Sequence, residues 1–348
     1  MRVAVQLAVE QAPWDELVDY VVEAERLGAE LCWVAEAWGG DAATPIGYLA
    51  ARTERMRFGS GIMQLGARTP ALVAMTALTL ARITGDRYCL GLGASGPRVM
   101  EGLHGVRHGN ALGRMRETVE IVRLALAGER IAHEGKHFPL PLPGGEGAAL
   151  RLALPANPAI PIYLATLSPR MLELTGEVAD GWLGTSFIPE AAATYLEPLA
   201  AGAARSGRSL ADLDICQGAE VAFGDDVEEM VARRRPQLAF SLGGMGSATT
   251  NFYNSAYARQ GWEEAAAEVQ RLWVAGRREE AAACVPDEMV LATTLIGTEA
   301  MVRERLRRWR DAGVTTVRLY PAGDDLTARL ETLARAIELV GEVNLARA

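Results

Sequence analysis

The sequence predicts an α/β fold, a (β/α)8 TIM barrel carrying two insertions. Three observations carry that expectation. Short apolar runs of strand length alternate with amphipathic helical stretches along the chain. Such alternation implies a parallel sheet with helices on its outside. The strand-like runs number eight, and eight such units with evenly spread hydrophobic residues favour a closed barrel over an open doubly wound sheet.

Val3–Leu7 reads as the first strand and Asp15–Leu27 as its helix, with Leu17, Val21, Ala24 and Leu27 on one face and Gly28 as the stop. Leu31–Val34 is the second strand, followed by a helix over Thr44–Arg52. Arg57–Gly61 is the third, and Pro70–Ile83 is a helix with proline suited to its first turn. Tyr88–Leu92 is the fourth, followed by glycine-rich sequence and the helix Leu112–Leu126. Residues 129–160 break the rhythm, with a hairpin expected over Ile131–Phe138 and an irregular Pro- and Gly-rich loop over Pro139–Gly147. The alternation resumes with strand Pro161–Ala165, helix Pro169–Val178, strand Gly181–Leu183, helix Pro189–Arg205 and strand Leu213–Phe223. A second, helix-rich interruption spans 226–285, with Phe240–Gly246 expected as a flexible link. The helix Glu299–Ala312, the strand Thr316–Tyr320 and the helix Leu326–Val340 close the chain. All 348 residues are expected to form a single domain.

Of the residues, 49% are hydrophobic, ample for a large core. The formal net charge of −9 argues against a nucleic-acid surface. The four cysteines form no CxxC pair and are expected as free thiols, three of them buried. Met1-Arg2 leads directly into a strand pattern, and no run of about 18 apolar residues occurs. The expectation is a cytoplasmic protein with no membrane span.

In such a barrel the chemistry sits where the strands end at their C-termini. Gly91-Leu92-Gly93-Ala94-Ser95-Gly96-Pro97 follows the fourth strand, and its glycines allow close backbone approach to a ligand. A tight turn explains the glycines equally well, and the spacing is not that of a dinucleotide fingerprint. Ala165-Thr166-Leu167-Ser168-Pro169 follows the fifth. Ser168 is expected to cap a helix whose N-terminus favours an anion. Side by side on one rim, the two turns would hold a phosphate. Glu36 and Asp41, after the second strand, are either cofactor-binding or proton-transferring acids, or plain surface acids. Trp38 is either a ring-stacking wall or a cover for the core. His104 and His108 lie after the fourth strand, and with only four histidines in the chain no metal is expected.

Val34-Ala35-Glu36-Ala37-Trp38, Gly59-Ser60-Gly61-Ile62 with Arg68-Thr69-Pro70, the Gly91–Pro97 turn with Glu101–Gly105, and Leu167–Leu174 with Ala179–Trp182 together resemble the luciferase-like monooxygenase superfamily. The likeness runs in order over nearly the whole chain. Within that superfamily the sequence is most similar to the branch using the deazaflavin coenzyme F420, including actinobacterial oxidoreductases and methylenetetrahydromethanopterin reductase. The resemblance implies a deazaflavin ring in the barrel mouth, backed by a bulge with a non-prolyl cis peptide at Gly61-Ile62. It implies cofactor contacts from Glu36, Ala37, Ser60, Gly61 and Ile62, with the phosphate arm against Gly93, Ala94 and Ser95 and against Ala165, Thr166, Leu167 and Ser168. Arg98, Arg107 and His108 near the rim depart from the family pattern.

The expected reaction is hydride transfer between the deazaflavin C5 and an electron-poor C=C, C=N or C=O of a small organic substrate. Glu36 is the first candidate proton donor or ring anchor and His104 the second. An FMN-dependent monooxygenase is the alternative, and a non-catalytic cofactor-binding protein the alternative from another class. A homodimer is expected, with the helix Pro70–Ile83 as a candidate interface.

Overall fold

A computed structural model describes residues 1–247 and 249–346. The single-domain expectation extends to Ala248, Arg347 and Ala348, which lie outside the described residues. The strands are β1 (Arg2–Leu7), β2 (Leu31–Val34), β3 (Arg57–Ser60), β4 (Met63–Gln64), β5 (Tyr88–Gly93), β6 (Ile162–Ala165), β7 (Gly181–Gly184), β8 (Asp214–Phe223), β9 (Leu295–Gly297) and β10 (Thr316–Pro321). All pairings between them are parallel. Going round, β1, β2, β3, β5, β6, β7, β8 and β10 are hydrogen-bonded in turn, and β10 pairs with both β1 and β8. The sheet therefore closes as an eight-stranded barrel with helices outside, the predicted (β/α)8 fold.

Closure follows from strands that bury both faces. Along β5 the side chains of Leu90 and Leu92 enter the helical layer. Cys89, with Trp33, Tyr163, Leu183 and Cys216, fills the lumen. Period-two alternation puts Gly91 and Gly93 on that same inner face. At the N-terminal end Asp214 closes the lumen. It pairs with Arg2 at 2.7 Å and accepts from the Tyr163 hydroxyl at 2.8 Å and from Thr316 Oγ1 at 2.8 Å. Only the C-terminal end is left to open.

Two short strands are additions to the eight predicted. β4 continues β3 beyond a bulge: Gly59 pairs with Cys89 and Met63 with Leu92, so one extra residue bends this edge inward. β9 pairs with the outer end of β8, whose ten residues serve β7, β10 and β9.

Both insertions differ from expectation in detail. The hairpin over Ile131–Phe138 reduces to one antiparallel bridge, His133 with Leu140. The amides of Lys136, His137 and Phe138 turn instead to the Glu117 carboxylate, at 2.9, 2.8 and 2.8 Å. Burial opposes charge on Glu117, but these three donors outweigh it and lower its pKa. In the second insertion Phe240–Gly243 is no flexible link: it completes the helix Val227–Gly243. Gly243 is there for packing, since a Cβ would lie 2.3 Å from that of Trp273. This insertion forms its own apolar cluster around Leu238, Leu242, Val269 and Leu272. Among the described residues, no helix is long and apolar enough to cross a membrane.

Candidate functional site at the barrel mouth

The floor of the mouth is the Trp33 indole, fully buried and edge-on to Tyr163 at 5.0 Å. Glycine makes room for it. A Cβ at Gly59 would lie 2.3 Å from the indole, and one at Gly61 would lie 3.2 Å from the Trp33 Cβ. Ile62 follows, at the bulge, and its side chain rests over Gly93, where a Cβ would come within 2.6 Å of Cδ1. The Gly61–Ile62 peptide is cis, as the resemblance implies. The bulge is pinned by Ser60, whose Oγ lies 3.0 Å from the Tyr88 hydroxyl, donates to the Gly91 carbonyl at 2.9 Å and accepts from the Gly91 amide at 2.9 Å. Ser60 is fully buried, so its hydroxyl faces the wall and not the mouth.

Two turns border this floor. Gly93 and Ala165 are register partners at the ends of β5 and β6, so the turns after them stand side by side. Among the described residues, the amides of Ala94, Ser95, Gly96, Leu167 and Ser168 donate to no protein acceptor. Ser95 has φ +57°, a left-handed conformation that turns the chain sharply there. Ser168 stands at the N-cap position but its side chain makes no cap bond, which corrects the expected cap. Thr166 is occupied internally: its hydroxyl lies 2.8 Å from that of Thr175, and its carbonyl accepts from the Trp182 indole N–H at 2.9 Å. Adjacent backbone donors of this kind form a cradle for an anionic arm.

Basic side chains steady the turns. Arg259 Nη2 donates to the Leu167 carbonyl at 2.6 Å, and Arg98 Nη1 to the Gly244 carbonyl at 3.3 Å. His108 Nε2 lies 3.1 Å from the Ser95 carbonyl. The spacing of the sequence shows none of these pairings, because each joins segments distant along the chain or folded back by the Ser95 turn.

A connected network joins the sequence-predicted acid and histidine. Glu36 is buried; its Oε1 pairs with Arg68 and its Oε2 accepts from the Ala42 amide at 3.0 Å. Gln64 Nε2 donates to the Ala37 carbonyl at 2.5 Å, with the Glu36 carbonyl at 3.4 Å. That leaves Gln64 Oε1 facing His104 Nε2 at 3.1 Å, so this imidazole nitrogen is the donor. Asp41 is not part of the network: it accepts from the Thr44 amide at 2.8 Å beside the helix Ala43–Ala50. Trp38 is 62% exposed and is no core cover. Burial pushes the Cys89 thiol up to about 11 and the Cys216 thiol up to about 12, so both are apolar filler and not nucleophiles.

Comparison with known proteins agrees with this architecture. The profile of the luciferase-like monooxygenase family matches residues 1–316. A putative coenzyme F420-dependent oxidoreductase of Mycobacterium tuberculosis is 40% identical over 324 residues, covering 90% of this chain and 93% of that one. A 5,10-methylenetetrahydromethanopterin reductase of Archaeoglobus fulgidus is 28% identical over 324 residues, covering 92% and 94%. The solved coenzyme F420-dependent tetrahydromethanopterin reductase of Methanopyrus kandleri superposes with a TM-score of 0.78 at 22% identity, covering 99% of each chain. The barrel, the bulge in its wall and a match over most of its length lead to one conclusion: the chain belongs to the luciferase-like monooxygenase family.

Proposed function

We propose that this protein is a coenzyme F420-dependent oxidoreductase acting on an electron-poor C=C, C=N or C=O of a small organic molecule. The observation that carries the reading is the pair of adjoining turns with unspent amides, beside a floor that glycines keep flat. These features fit a planar ring with an anionic arm. The F420 dependence named for the 40% identical relative favours deazaflavin over FMN. When bound, the reduced deazaflavin supplies hydride from its C5.

The chain's own groups bind, orient and handle the proton. Ala94, Ser95, Leu167 and Ser168 hold the arm through backbone N–H groups. Gly61 and Ile62 support one ring face. Glu36, with one oxygen on Arg68 and the other on Ala42, acts as a positioning group, not a proton donor. It fixes the loop that carries Ala37 against Gln64. His104 is left as the proton donor, because its Nε2 is committed to Gln64 and its Nδ1 remains to exchange a proton at the exposed rim.

Fluorescence titration of purified apoprotein with F420 and with FMN tests the cofactor. We expect micromolar or tighter binding of F420, with FMN at least about tenfold weaker, a difference of about 1.4 kcal/mol. Tight binding of FMN alone ends the deazaflavin reading.

We also propose a homodimer formed through the helices Ala43–Ala50 and Pro70–Thr84. Tyr48, Leu72, Met75 and Ile83 are large apolar side chains exposed on this pair, and Ile83 Cδ1 reaches Gly47 across it. Contiguous exposed apolar surface of this kind marks an interface. Leu72→Glu combined with Met75→Glu is expected to give a monomer in sedimentation velocity. A wild-type protein already monomeric at tens of micromolar would remove the proposal.

A further inference from the structure

The lumen wall formed by β8 and β10 carries a charge that nothing in the described chain neutralises. Along β10, Val317 and Leu319 point outward into the helical layer. Arg318 and Tyr320 therefore point inward. Register sets Arg318 between Ala4 of β1 and Gly218 of β8. Gly218 leaves the space the side chains need: a Cβ there would lie 2.5 Å from the Tyr320 hydroxyl and 2.8 Å from Arg318 Nη2.

Arg318 is only 6% exposed. Its Nη2 donates to the Gly184 carbonyl at 3.2 Å, and the Tyr320 ring centre lies 5.5 Å from the guanidinium carbon. Among the described residues its Nε has no acceptor. Among the described residues it forms no ion pair. Glu220, the acid on the same inner face, is committed to Arg234 at 2.6 Å. Tyr253, from the second insertion, lies within electrostatic reach of both Arg318 and Tyr320.

A guanidinium keeps its proton at any ordinary pH, so burying it without a counter-anion is costly. A wall needing only bulk at this position is served by leucine or methionine. We propose that Arg318, whose Nη2 reaches the Gly184 carbonyl at the C-terminal end of β7, receives the anionic oxygen of the molecule that is oxidised or reduced at the barrel mouth, and that this molecule is an organic carboxylate. The planar fork of donors suits that group. The proposal rests on the barrel mouth being the redox pocket, and it narrows the substrate to acids. An anionic group of the cofactor offers the same chemistry, and the test separates the two sources.

Thermal melting is followed with F420-loaded protein against paired probes: benzoate and benzamide, cinnamate and cinnamamide, hexanoate and hexanamide. At least one carboxylate is expected to protect the wild type with a midpoint about tenfold or more below that of its neutral partner, the scale of one charge-assisted hydrogen bond. Arg318→Gln is expected to erase that difference and Arg318→Lys to retain part of it, with F420 affinity measured without probe unchanged in both. Carboxylates and amides that protect the wild type alike overturn the proposal, whether or not the glutamine variant folds. A tenfold loss of F420 affinity in Arg318→Lys or Arg318→Gln without probe also overturns it, by giving the charge to the cofactor. Failure of the wild type to bind F420 is a separate result: it removes the functional reading, and the same paired probes on apoprotein then decide the role of Arg318.

Discussion

Gly91→Ala is expected to destabilise the protein by about 3 kcal/mol or more and to abolish cofactor binding, whereas Gly93→Ala is expected to cost under about 1 kcal/mol and still weaken F420 binding about tenfold. The contrast comes from what each new methyl group meets. At Gly91 the Cβ would lie 1.9 Å from the Ser60 carbonyl oxygen and 3.1 Å from the Trp33 ring. Neither can yield. Ser60 is tied to Gly91 from both its donor and acceptor sides, and Trp33 is wedged among glycines in a filled lumen. The methyl group therefore forces β3 and β5 apart at the bulge.

At Gly93 the methyl meets only the far end of Ile62, whose Cδ1 would be 2.6 Å away and Cγ1 2.8 Å. Ile62 is partly exposed and turns aside, into the space proposed for the ring. The stability cost is small and the binding cost is not. The double variant Gly93→Ala with Ile62→Ala removes the obstructing side chain and is expected to recover most of the affinity, a coupling readable in a double-mutant cycle. Calorimetry for stability and fluorescence quenching for affinity separate the two effects. Unchanged F420 affinity in Gly93→Ala would show that Ile62 is not part of the ring platform.

The alternation of apolar strand and amphipathic helix made the eight barrel strands legible, because both faces of each strand are buried and each run is continuous. β4 and β9 were not legible: two and three residues are too short for any periodicity to register. The hairpin after Ile131 failed for a different reason. Its turn residues are present, but a carboxylate on a distant helix, Glu117, takes the amides that a ladder would have used. The turns at Gly93 and Ala165 were readable from glycine, serine and proline placed at strand ends. Arg68 as the partner of Glu36 was not, since 32 residues and two loops separate them. Arg318 did leave a signal. Thr316-Val317-Arg318-Leu319-Tyr320 sets an arginine between two outward-facing apolar residues, and in a closed barrel whose outer face is covered by helices, such a residue has only the lumen to enter.

The Glu36–Arg68 pair yields the other large effect. Both side chains are mostly buried, and the pair joins the loop after β2 to the loop after β4. Arg68→Met leaves the Glu36 carboxylate with only the Ala42 amide, and a buried charge stripped of its partner costs about 3–5 kcal/mol. Removing both, as Glu36→Gln with Arg68→Met, leaves no uncompensated charge and is expected to regain more than half of that loss. Catalysis should follow a different order. If Glu36 positions the Ala37 loop, Glu36→Gln raises KM for F420 several-fold and leaves kcat in place. The proton transfer belongs to His104, and His104→Asn should lower kcat about 100-fold with little change in melting temperature, because the imidazole lies at the exposed rim. Reversal of that assignment, with Glu36→Gln lowering kcat by that factor and His104→Asn leaving it unchanged, would return the proton to Glu36. The ion pair with Arg68 would then have to open in each turnover. The two outcomes also differ in how far removal of Arg68 is tolerated: a positioning pair accepts Arg68→Lys with modest loss, since the charge remains in reach of the same carboxylate oxygen.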